Sequence, residues 1–150
     1  MINIITRTHN RPNEFKVLKD SIDRQTYKDI NWIVGSDTEC SYHDNVIKLS
    51  HSLKQPIFIP HGYYFAPYNQ YLNDLALYVK EGYVMYIDDD DCFRYKNSLE
   101  MISKFVEEDK VLIWKVQITP DFIVPSYSFN KTITAGDFSG IGFCFHSKHL

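Results

Sequence analysis

The sequence predicts an α/β domain with a mixed, mostly parallel central sheet. Three observations carry this. Short apolar runs alternate with stretches of helical periodicity. The opening strand, helix and strand have about the length that a right-handed parallel crossover requires. Finally, the apolar run Tyr83 to Ile87, bounded by Gly82, ends in four successive carboxylates, Asp88 to Asp91. In open α/β sheets ligands sit beyond the carboxyl ends of strands, where these aspartates would lie.

Ile2 to Ile5 reads as the first strand, followed by the polar, donor-rich loop Thr6-Arg7-Thr8-His9-Asn10-Arg11-Pro12. Phe15, Leu18 and Ile22 then fall on one helical face, with Pro12 just ahead of the helix and Asn13 as its expected cap. Gln25 to Asp29 break the pattern, and Ile30 to Val34 form a second strand running into Gly35-Ser36-Asp37. Val46 to Leu49 and Ile57 to Ile59 are short strand candidates, the latter fenced by Pro56 and Pro60. His61 to Pro67 is an aromatic loop. Tyr71, Leu72, Leu75 and Val79 have helical spacing, and the acidic strand follows. Leu99, Ile102 and Val106 mark another helix, expected to start at Asn97 with Glu100 completing a capping box. Val111 to Ile118 is expected to be one long strand, Thr134 to Gly140 a polar loop, and Ile141 to Phe145 the last strand.

Composition narrows the function. With 150 residues, 44% hydrophobic and 23% charged, the chain has enough apolar material for one globular core. A net charge of −3 gives no electrostatic case for nucleic acid or an anionic membrane. No apolar run approaches the length of a membrane span, and no basic, apolar-cored leader opens the chain. Cys40, Cys92 and Cys144 are odd in number and lack CxxC spacing, which suits reduced thiols and a cytoplasmic location.

Four adjacent carboxylates repel one another and resist leaving water. In a folded protein they imply a solvated loop or a positive partner such as a divalent cation. Two other acidic designs fit poorly. An EF-hand loop would need Gly where Phe93 stands and a bidentate acid where Leu99 stands. An aspartyl-phosphate phosphatase would need Thr where Cys92 stands.

Four pieces in register, Ile4 to Pro12, Gln25-Thr26-Tyr27, Trp32-Ile33-Val34 leading to Asp37, and Tyr83 to Asp91, resemble glycosyltransferase family 2. The resemblance implies the GT-A fold, a Rossmann-like αβα sandwich, and transfer of a sugar from a nucleoside-diphosphate sugar to a glycan or other acceptor with inversion. It implies that Thr8, His9, Arg11 and Asp37 line the nucleotide pocket, where the family pattern usually has two acids and this chain has Ser36 and Asp37. Asn69 and Asn73 lie where the family places an Asn, and Asn73 fits the spacing better. Asp88, Asp89 and Asp90 resemble the DXD signature, with Asp88 or Asp89 on ribose or sugar and Asp90 on Mn²⁺ or Mg²⁺. Residues 1–91 would form the nucleotide-binding half of a single domain, and 92–150 the start of the donor-sugar and acceptor half. Members of the family normally run longer, so the sequence is expected to be truncated after the donor-binding half. The usual base would lie beyond it, leaving Asp137 as the carboxylate able to substitute.

Two alternatives remain. One is a nucleotide-sugar-binding module without transfer. The other is a metal-dependent phosphohydrolase, which would act on simple phosphate esters without a sugar donor. The aromatic loop also leaves room for a homo-oligomer.

Overall fold

The computed structural model describes residues 1–8, 11–37, 56–61, 68–126 and 139–150. Its elements are β1 (Ile2–Thr8), α1 (Pro12–Asp23), β2 (Ile30–Asp37), β3 (Pro56–His61), α2 (Tyr68–Ala76), β4 (Tyr83–Tyr86), α3 (Ser98–Phe105), β5 (Leu112–Ile113), β6 (Val116–Thr119), β7 (Phe122–Val124) and β8 (Phe143–His146). The expected strand at Val46 to Leu49, the loop from Gly62 to Pro67, and the loop residues Thr134 to Asp137 lie outside the described residues.

Among the described residues six strands form one sheet, in the order β3-β2-β1-β4-β8-β5. The first four are mutually parallel, and β8 runs antiparallel to both its neighbours. Side chains alternate across a strand, so neighbouring residues feed opposite layers. Ile2, Ile4, Trp32, Val34, Met85 and Cys144 pack with Phe15, Leu18 and Ile22 of α1 and with Leu99 and Ile102 of α3. The alternate residues Ile5, Ile33 and Val84 pack instead with Leu75 and Ala76 of α2. The fold is thus a three-layer αβα sandwich around a mostly parallel sheet. Within it Phe15 stacks on Trp32 at 5.2 Å, and the indole Nε1 donates to Thr6 Oγ1 at 3.0 Å.

The local expectations fail at three places, each for a tertiary or backbone reason. Pro12 occupies the first turn of α1, so Arg11 is the capping position and Asn13 lies inside the helix. The capping box at α3 does not form: Glu100 accepts from Thr26 Oγ1 at 2.8 Å and from Lys104. The Leu99 amide in the first turn instead donates to Gln25 Oε1 at 3.1 Å. The expected long strand divides. Trp114 N still donates to Gly142 O at 2.9 Å, extending the pairing with β8, but Val116 turns away to pair with Val124 in a separate β6–β7 hairpin. Gly142 permits that departure, because a Cβ there would stand 3.0 Å from Val116 Cγ2 and 3.1 Å from Trp114 O.

Gln25 does more than break a helix. Fully buried, it donates from Nε2 to Ser21 O and Tyr95 O while accepting from Leu99. Ser21 Oγ accepts from Phe93 N at 3.1 Å, and Arg24 donates to Phe93 O at 3.0 Å. The end of α1 therefore fixes the segment that follows the four aspartates. Among the described residues, no helix is long and apolar enough to cross a membrane.

Candidate functional site

The site begins with the neighbouring parallel strands β1 and β4. Their register, Ile5 opposite Tyr86, brings both carboxyl ends to one sheet edge. Ile87 N donates to Ile5 O at 3.1 Å, holding the chain beside β1 for one more residue. Asp88 then emerges next to Arg7, and Asp91 N donates to Asp88 O at 3.1 Å, closing a tight turn. Phe93, buried and bonded through its backbone to α1, holds the far side of that turn.

Within the turn the carboxylates divide into two sets. Asp89 is buried and points towards β1, accepting from Thr8 Oγ1 at 2.8 Å and from Arg11 Nη1 at 3.3 Å. Asp88, Asp90 and Asp91 each present an oxygen within 4.8 Å of the others. Arg7 Nε donates to Asp88 Oδ1 at 2.9 Å, and Arg11 Nη1 to Asp90 Oδ2 at 2.5 Å. Burial, and then the charges of Asp90, Asp88 and Asp89, push Asp91 up to about 6. The Arg11 guanidinium is raised, chiefly by the charge of Asp89 and then of Asp90. This donor set offers carboxylate oxygen only, which fits a hard divalent cation such as Mg²⁺ or Mn²⁺ better than a softer metal that favours nitrogen or sulfur.

The other sequence candidates fall in different places. The backbone of Asp37 closes β2 opposite His61, and Ser36 pairs with Thr8, so Asp37 ends at the same sheet edge; its side chain lies outside the described atoms. Asn73 is exposed on α2, with no described bond to the acidic turn. His9 and Asp137 lie outside the described residues. Sequence reasoning did not single out Asp91 as a member of the cluster, although it stands in the same acidic run. It also missed Ser21, Arg24 and Gln25 as supports, for they act across about 70 residues of chain and left no local signal. On the α2 side of this edge, Tyr86 and Phe143 approach to 6.1 Å, and Phe143 stacks with Phe145 at 6.0 Å.

Comparison by sequence is silent: no protein-family model and no curated protein matches the chain. Comparison by structure is not. The chain superposes on S. aureus TarS 1-349 with a TM-score of 0.73 at 16% identity, covering 97% of this chain and 47% of that one. The fold is glycosyltransferase-like. The TarS fragment in complex with UDP-GlcNAc gives a TM-score of 0.71 at 16% identity, with 97% and 45% coverage. A mannosyltransferase, PcManGT from Pyrobaculum calidifontis in complex with GDP-Man and Mn²⁺, gives 0.63 at 15% identity, with 72% and 32% coverage. The chain therefore spans less than half the length of these structures.

Proposed function

We propose that the chain is the nucleotide-sugar-binding part of a metal-dependent glycosyltransferase of family 2, acting on a nucleoside-diphosphate sugar with inversion. The observation that carries this reading is the convergence of Asp88, Asp90 and Asp91 at the carboxyl edge of β4, beside the Arg7, Thr8 and Arg11 donors of β1 and its following loop. The fold shared with glycosyltransferase structures supports it.

Asp90, with Asp88 and Asp91, would hold Mn²⁺ or Mg²⁺. When bound, such an ion neutralises charge developing on a departing diphosphate. The chain's own residues do the rest of the positioning. Thr8 fixes the buried Asp89, which in turn holds Arg11 at the mouth of the turn. Arg7 and Arg11 add positive charge where phosphate oxygens would lie. His9, Asp37 and Asn73 are assigned to the nucleotide and Asp88 or Asp89 to ribose or sugar, on the family resemblance. Asp137 is assigned on the same ground as the carboxylate that takes the acceptor's proton.

The test is calorimetric titration of UDP, GDP and CDP, each with Mn²⁺ and with chelator. One nucleotide is expected to bind only when metal is present. Asp90→Asn should abolish that binding while the melting temperature stays unchanged; equal affinity in the variant would sink the assignment. Release of nucleoside diphosphate from a donor panel then separates transfer from binding alone.

A further inference from the structure

Resting on that metal reading, we propose that Arg11 is a resident counter-cation of the acidic turn that yields Asp90 to the incoming metal as it moves onto the diphosphate. Arg11 Nη1 lies 2.5 Å from Asp90 Oδ2, so a cation that took this oxygen would compete with the guanidinium for the same lone pairs. The two carboxylates that Arg11 touches are unequal. Asp90 is half-exposed and belongs to the converging triad, whereas Asp89 is buried and keeps its 2.8 Å bond from Thr8 whether or not Arg11 stays. Departure of Arg11 therefore leaves Asp89 its hydroxyl donor but not its guanidinium, so the exchange proceeds only where the incoming cation and phosphates offset that loss.

Arg11 is also built to move. Its backbone is fixed as the capping residue of α1, with Phe15 N donating to its carbonyl at 3.0 Å. Its side chain is half-exposed, and among the described residues its bonds go to Asp89 and Asp90. Arg7 differs: its Nε and Nη2 both face Asp88 from within β1, at 2.9 Å and 3.5 Å. Once displaced, a planar guanidinium held at the edge of the metal site matches two phosphate oxygens. Metal and diphosphate then help each other bind. With Asp90 engaged by a cation, Arg11 would be available to the phosphates, and with Arg11 on the phosphates, Asp90 would be available to a cation, a coupling that is reciprocal by linkage.

The experiment titrates Mn²⁺ alone into wild-type, Arg11→Gln and Arg11→Lys proteins at low ionic strength, reading free Mn²⁺ by electron paramagnetic resonance. UDP and GDP are then titrated at saturating Mn²⁺. Arg11→Gln is expected to bind Mn²⁺ roughly three- to tenfold more tightly, the range in which a partly exposed ion pair competes. It should bind the nucleotide more weakly than wild type, and Arg11→Lys should return Mn²⁺ affinity towards wild type. Unchanged or weaker Mn²⁺ binding in Arg11→Gln overturns the proposal, and unweakened nucleotide binding overturns the handover. Asp90→Asn is the separate control. If Mn²⁺ binding ignores it, the metal reading itself fails; if it abolishes binding while Arg11→Gln has no effect, the counter-cation role alone is wrong.

Discussion

The two ends of β4 are only a few residues apart and solve opposite problems. At the amino end the strand is closed by neutral hydrogen bonds. Tyr83 N donates to Met1 O, the buried Asn3 amide donates to Glu81 O at 2.7 Å and Tyr83 O at 3.1 Å, and Asn31 donates to Asn3 Oδ1 at 2.8 Å. Gly82 takes a φ of 91° there, and a Cβ on it would stand 2.6 Å from Met1 O. At the carboxyl end four like charges share one turn, tempered by Arg7 and Arg11. One end is closed by geometry. The other keeps an electrostatic cost that a cation would relieve. Changes at the first end should therefore lower stability and leave binding alone, while changes at the second should weaken binding and, where they relieve the shared charge, raise stability.

The largest effect is expected from Gly82→Ala. The positive φ and the approach to Met1 O together should cost about 2–4 kcal/mol, read as a lower denaturation midpoint. Metal-dependent nucleotide affinity of the folded fraction should not change; a loss there would mean that the two ends are coupled. Asn3→Ala should come next. It strips hydrogen bonds from the Glu81 and Tyr83 carbonyls and from the Asn31 amide, at about 1–3 kcal/mol by denaturant titration. A drop in nucleotide affinity larger than the drop in stability would blur the contrast between the ends.

How far this contrast was legible in the sequence follows from the range of the forces involved. β1, β2, β4 and the three helices declare themselves, because burial on one face imposes a period that a short window reveals, as with Phe15, Leu18 and Ile22. The acidic edge was equally plain, since a buried strand ending in Asp88 to Asp91 is a local event. What stayed hidden was contested by distant partners. Glu100 looked like half of a capping box, but Thr26 claims it. Val111 to Ile118 alternated like one strand, but Val124 offers Val116 another partner. Within the site, resemblance supplied a three-residue signature ending at Asp90. The turn that brings Asp91 beside Asp88 depends on one backbone bond, and the arginine pairs span about 80 residues. No local window contains the arginine pairs, and the turn leaves no signature in a run of four identical residues.

Asp91 yields the smallest effect and the one that most sharpens the comparison. Its carboxyl is pushed up to about 6, first by burial and then by Asp90, Asp88 and Asp89, from an ordinary value of 3.8. The sign follows from linkage. Below the ordinary value both folded and unfolded forms are protonated, and the group costs nothing. As pH rises towards 6 the unfolded form ionises first, and above that the folded protein bears the full cost of the buried charge. Asp91→Asn should therefore raise the denaturation midpoint near neutral pH, by on the order of 1 kcal/mol once solvent screening is allowed for. That gain should fade on acidification into the ordinary carboxylate range. The same variant should bind Mn²⁺ less tightly, and Mn²⁺ should stabilise the wild type more than the variant. A midpoint that falls near neutral pH, or a gain indifferent to pH, would show that Asp91 is held in place by the turn rather than opposed by it. A gain in stability bought with a loss of cation affinity would show that the carboxyl end of β4 retains its strain for a ligand, as the amino end does not.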